Sequence, residues 1–252
     1  MFGELAVHVH LFGGLRVLLP TSTLSEGAMA TKAAALIKFL ALRPGHTTHR
    51  EAAVETLWPN SDATRGSNNL YKTLHHLRAS IPDPECRNFI KVSRNVVHFD
   101  PSVEVDDDHF LAAATSALHS KTLDEYEGAL ALAHGELLPC DIYEDWARTA
   151  REHVHTLVRQ LHFESVDLCL DHEDDDRALL HLQALIATEP TNERAHQEIM
   201  RLFMRRGDTA LASRQYDICA ACLRRGFDSE PSTLTQSLVA TGGPIVDNQL
   251  FG

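Results

Sequence analysis

Residues 62–82, DATRGSNNLYKTLHHLRASIP, restrict what this chain can become more than any other stretch. Asp62 is a helix-capping residue and Pro82 a helix stop, which predicts one helix over 62–81. Leu70, Leu74, Leu77 and Ile81 recur at i, i+4, i+7 and i+11, an apolar stripe that must face a core. Turning about 100° per residue puts Arg65, Asn68, Asn69, Lys72, His75 and His76 on the other side. That side has no carboxylate. Amides, imidazoles and cations are the groups that hydrogen-bond base edges and phosphates, although on an isolated helix such a face is more often simply solvated.

The segments around this helix supply a context. Leu5, Val7, Val9 and Leu11 alternate with Ala6, His8 and His10, Gly13-Gly14 makes a turn, and Leu15, Val17 and Leu19 resume the alternation. A first helix is predicted from Lys32 to Leu42, halted by Pro44-Gly45. Thr48 and Glu51 have capping-box spacing ahead of a short helix that Trp58-Pro59 closes. Two short helices, a tight turn and a third, exposed helix are the helix-turn-helix order. Phe89–Val92 and Val96–Phe99 then read as two strands joined by Ser93-Arg94-Asn95, a wing whose tip presents Arg94.

Beyond residue 100 the pattern becomes helical. Asp106, Asp107 and Asp108 precede a helix over His109–Leu118, where three acids suit a cap and the helix dipole better than a metal cluster. A second helix runs from Leu123 to His134, followed by GELLP at 135–139 and Tyr143-Glu144-Asp145-Trp146. A long amphipathic helix extends from Trp146 to about Leu170. Asp174, Ala178 and Leu182 return 34 residues later as Asp208, Ala212 and Tyr216, the period and small packing residue of tetratricopeptide repeats. Such helix pairs stack on their neighbours and leave a groove for a partner. The tail from Thr241, TGGPIVDNQLFG, is Gly-rich and expected to be loose.

LFGGLRV, KAAALIKFLALRPG, REAAVETLWP and RGSNNLYKTLHHLR together resemble the DNA-binding half of SARP-type bacterial transcriptional activators. GELLP, YEDW and the 34-residue repeat resemble the bacterial transcriptional activator domain that follows it in that family. The resemblance implies a mainly α fold with a small β part. A winged helix-turn-helix of the OmpR type with an N-terminal sheet occupies residues 1–100, and an all-α tetratricopeptide-like domain occupies 101–252. It also implies that helix 62–81 enters the major groove of double-stranded DNA, that Arg94 lies on the wing, and that the protein binds direct repeats as a homodimer and recruits RNA polymerase. In this reading Arg65, Lys72, Arg78 and Arg94 meet phosphates, while Asn68, Asn69, His75 and His76 meet bases.

Charge distribution fits two roles. Residues 1–100 hold 11 Lys and Arg against 8 Asp and Glu, and residues 101–252 hold 12 against 27. The overall charge of -12, and Gly66 in the first turn of the reading helix, favour an alternative: a protein–protein interaction module whose winged helix no longer binds DNA. Catalysis is not expected, because no nucleophile elbow, Gly-rich phosphate loop or HExxH occurs. Neither metal nor cofactor is expected. His8 and His10 share a strand face without a third ligand nearby in sequence, and Cys219-x-x-Cys222 has no second pair. The five cysteines are sparse and odd in number, and no apolar run approaches a membrane span or forms a signal segment, so a cytoplasmic protein with no membrane partner is expected.

Overall fold

The computed structural model describes residues 7–240; Leu5, Ala6 and the tail from Thr241 lie outside the described residues. The chain is mainly α with a small β part, as expected. Two compact units are present, one of residues 7–120 with 128–158 and one of 121–127 with 159–240.

In the first unit the alternating N-terminal residues form β1 (Val7–His10) and β2 (Arg16–Leu19), with Val7, Val9, Val17 and Leu19 buried. The sequence reading stops there, but two further strands complete this sheet. β3 (Ser22–Ser25) pairs antiparallel with β2, and Val103–Val105 (β7 in chain order) lies parallel to β1. Residues past 100 therefore close the first sheet, so in packing terms the first unit does not end at residue 100. The first helix, α1, spans Thr31–Ala41 and buries Ala33, Leu36, Ile37 and Leu40. Thr48 and Glu51 make no capping box. Thr47–His49 is extended as β4, and α2 (Arg50–Leu57) starts after His49 with no side-chain cap. Pairing with the wing claims the backbone that the box needed.

α3 (Ala63–Ser80) begins where the sequence places it, with the Asp62 carboxylate accepting the Arg65 N–H at 2.8 Å. The wing is β5 (Ile90–Ser93) and β6 (Val96–Phe99), with β4 as a third strand in the order β4-β6-β5. α4 spans Asp106–Ser120 and α5 Leu123–Leu132. The three acids sit in the first turn of α4, but their carboxylates serve other elements. Asp106 accepts the Leu11 and Phe12 N–H groups, Asp108 meets His46 at 2.7 Å, and Asp107 is buried, its carboxyl pushed up to about 6 by burial and by its acidic neighbours.

GELLP returns to the first sheet. Leu137 bridges Phe12, the Leu138 N–H donates to the Leu11 carbonyl at 3.1 Å, and both leucines are buried. Nearby, Lys38 of α1 is 3% exposed and held by Asp141 at 2.5 and 2.7 Å and by Glu26 at 2.7 Å. Burial alone would depress its ammonium, but the two carboxylates carry it above the ordinary lysine range.

α6 (Asp145–Asp171) contributes residues to both units. In the second unit α7 (Asp175–Thr188), α8 (Glu193–Arg205), α9 (Thr209–Phe227) and α10 (Thr233–Ala240) follow one another. The 34-residue period is visible in their geometry. Asp174 and Asp208 are the N-caps of α7 and α9, and Ala178 and Ala212 are both fully buried at the packing position. One turn on, Leu182 is buried and Tyr216 is partly buried against the core of Met200, Ala212 and Leu238, while the neighbouring Gln215 is also buried, its amide on His196 at 2.6 Å. No helix of the described residues is long and apolar enough to cross a membrane.

Candidate nucleic-acid interface

The apolar stripe of α3 fixes what the helix shows. Leu70, Leu74, Leu77 and Ile81 are at most 3% exposed, so the opposite side must face outward. Arg65, Asn68, Lys72, His75 and His76 are all exposed there, with the His75 and His76 rings 5.7 Å apart edge to face. Two of the residues expected on this face are turned elsewhere. Asn69 is half-buried and its amide donates to the Ser61 hydroxyl at 3.4 Å. Arg78 is half-buried against the wing and donates to the Ile90 carbonyl at 3.3 Å. Both positions flank the apolar stripe, and a flank residue is captured by whatever loop or strand packs beside the helix.

The wing tip is a two-residue turn, because Ser93 is the register partner of Val96. Arg94 occupies it at φ +56° and is exposed, and the neighbouring Asn95 carbonyl accepts the Arg50 N–H at 2.7 Å, tying the tip to the start of α2. Behind it, Lys91 is paired with Asp100, which holds that carboxyl down at about 2. Sequence reasoning missed Tyr71, 47% exposed one step from Lys72; an aromatic that breaks the polar pattern outside the stripe was the available signal.

Gly66 is explained by packing. It is buried where α3 crosses α2, and a Cβ there would fall far inside contact distance of the Val54 Cγ1. The glycine lets the two helices of the motif approach closely, which outweighs its intrinsic helix cost of about 1 kcal/mol. A cleft of about 610 Å³ opens beside this crossing, lined in part by Arg50, Glu55, Trp58, Ser61 and Asn68.

Thiol chemistry has no part in this surface. Of the five free cysteines Cys86, Cys169 and Cys219 are buried, and burial pushes the Cys219 thiol up to about 12.

Comparison with known proteins agrees with this architecture. Residues 105–241 match the family model of the bacterial transcriptional activator domain. Among solved structures, EmbR of Mycobacterium tuberculosis, in complex with a low-affinity phosphopeptide, is similar over 95% of this chain at a TM-score of 0.68 and 16% identity. The chain spans 66% of that protein's length, and at such identity the likeness is one of fold. Comparison with curated protein sequences returns no match. With the family model matched over more than half of its residues, the chain belongs to the bacterial transcriptional activator domain family.

Proposed function

We propose that the protein binds double-stranded DNA sequence-specifically, laying α3 in the major groove and the wing against the backbone. The observation that carries this reading is the exposed face of α3, where Asn68, Lys72, His75 and His76 stand together without one carboxylate. Arg65, Lys72 and Arg94 meet phosphates, and Asn68, His75 and His76 meet base edges. Asn69 and Arg78 act as positioning residues, the first holding the turn before α3 and the second holding the wing to it. Residues 1–100 form the DNA-reading part. Residues 101–252, with 12 Lys and Arg against 27 Asp and Glu, form the part that repels phosphate, pairs two copies and contacts RNA polymerase in the cytoplasm.

The test is selection of bound duplexes from a random pool with the full chain, followed by salt titration on the selected site. Three phosphate contacts give a log–log slope of about -3. Asn68→Ala relaxes sequence preference by about 1–3 kcal/mol at one base pair, while Lys72→Ala weakens all sequences alike. Absence of any complex at low salt would refute the proposal. It would leave the second reading, a protein-docking module, which is favoured by the exposed Leu180, Leu211, Ile218 and Phe227 of the second unit.

A further inference from the structure

The sequence shows His8 and His10 on one strand face with no third ligand near them. Folding brings the missing ligands. β1 and β7 run parallel in a register that pairs His8 with Glu104 and Val9 with Val105, so the next step sets His10 beside Asp106. His10 Nδ1 lies 3.5 Å from Asp106 Oδ2. The third group comes from the segment after α5. The Gly13 N–H donates to the Glu136 carbonyl at 2.9 Å, and Gly135, at φ +123°, passes so close to Gly13 that a Cβ would stand 3.3 Å from its backbone. That approach sets the His134 ring 6.3 Å from His10 and 6.1 Å from Phe12, centroid to centroid. One donor atom from each of His10, Asp106 and His134 then lies within 4.8 Å of the others.

We propose that His10, Asp106 and His134 form a binding site for a late first-row divalent cation, zinc above all, which pins the end of β1 to the start of α4 and to the segment after α5. Two imidazoles and one carboxylate are the donor set of zinc, cobalt, nickel and copper rather than of magnesium or calcium, which take oxygen. Three protein ligands leave a fourth position for water or an exogenous donor. At metal–ligand bonds near 2.1 Å a tetrahedral site has its ligands about 3.4 Å apart. The His10–Asp106 separation is already close to that value, and the third donor lies within 4.8 Å of both.

The groups around the ligands point the same way. His134 Nδ1 donates to the Leu132 carbonyl at 2.9 Å, which puts the ring's lone pair on Nε2. The Asp106 carboxylate is held by the Leu11 N–H at 2.9 and 3.0 Å and by the Phe12 N–H at 3.2 Å, so it is oriented before any ion arrives. His10 Nδ1 is buried and has no hydrogen-bond partner, an expensive state that a cation relieves. Arg16, opposite His10 on β2, is an exposed cation on this face, and the Asp106 carboxylate beside His10 counters it.

The experiment uses the full chain stripped of metal with a chelator. Cobalt(II) is titrated while its visible d–d absorption is followed, and zinc is then titrated in competition with a chromophoric chelator. The site predicts one cobalt per chain with tetrahedral bands that zinc displaces. His134→Ala, an exposed position, loses the bands and weakens zinc binding on the order of 100-fold, since even outer-sphere losses cost 10–100-fold. His10→Gln does the same, and His8→Ala does not. Circular dichroism confirms that each variant is folded. Absence of a stoichiometric cobalt spectrum in the wild type, or a spectrum unchanged in folded His134→Ala, overturns the proposal.

Discussion

Gly66→Ala measures how closely α2 and α3 of the helix-turn-helix approach. On an isolated helix the change would stabilise by about 1 kcal/mol, because glycine gives up more backbone freedom than alanine. Here the added methyl collides with Val54 Cγ1, the end of a stiff β-branched side chain that is itself 8% exposed and cannot swing away cheaply. Overpacking of this kind costs about 1–3 kcal/mol, so the net effect is destabilisation by up to about 2 kcal/mol. Val54→Ala alone removes two methyl groups and costs about 2 kcal/mol. In that background the obstacle is gone, and Gly66→Ala should stabilise by about 1 kcal/mol. The sign reversal is the signature, a coupling of about 1–3 kcal/mol in a double-mutant cycle. Urea unfolding followed by tryptophan fluorescence reads it, since Trp58, the C-cap residue of α2, and Trp146 both lie in the first unit. If Gly66→Ala raised stability equally in both backgrounds, the close approach of α2 and α3 would be refuted. Gly66 would then stand again as a sign of a decayed reading helix.

Other expected outcomes follow from buried polar groups. Lys38→Met leaves Asp141, 8% exposed, without its partner and should cost about 3–5 kcal/mol in urea melts, much of it recovered in Lys38→Met/Asp141→Leu. Arg78→Ala should lower DNA affinity through a loosened wing, visible as faster amide exchange in β5, whereas Arg94→Ala should lower affinity with exchange unchanged. His162, facing His181 of α7 at 3.1 Å with Glu127 and Arg177 beyond it, is depressed by burial to about 4 from 6.5. The unfolded chain therefore takes up its proton first. Its share of the stability is full above 6.5 and falls by about 3 kcal/mol as pH drops from 6.5 towards 4. His162→Leu should therefore reduce the acid-linked loss in melts at pH 7.5 and 5, with His181 and His196, also depressed by burial, supplying the remainder.

Much of the fold is legible in the sequence because periodicity and caps are local signals. The α3 stripe, the Asp62 cap and the Asp174/Asp208 recurrence each need only a few neighbouring residues to be read. What escaped depends on pairing between distant segments. β4 and β7 are three residues each, too short for a period, and exist because β6 and β1 offer open edges. The candidate DNA-binding face was readable for the same reason as the stripe, since it is the stripe's complement. Asn69 and Arg78 lie on the flanks of that division, and Ser61 and Ile90 claim them through contacts that no helical wheel contains. His134 was unreadable as a ligand because its distance from His10 is set by the Gly13–Gly135 approach.

The placement of GELLP bears on how a chain of this family is built. The segment belongs by sequence to the activator domain, which matches from residue 105 onward, yet its leucines are core residues of the unit that holds the winged helix. Leu138 takes the Leu11 carbonyl, Asp141 takes Lys38 of α1, and the Trp146 ring stands edge-on to Phe39 at 5.9 Å. Three contacts of different chemistry, the backbone bridge at Phe12–Leu137, an ion pair and an aromatic edge, thus fasten residues 137–146 to the first sheet and to α1. A linker that merely tethered two functions would have no reason to bury a lysine–aspartate pair, whose desolvation is costly unless the geometry is held. Activator-domain residues are therefore structural parts of the first unit. Truncation at residue 100 should expose Leu11, Phe12 and Lys38 and yield a domain that aggregates, whereas truncation after Val158 should leave the first unit's core intact.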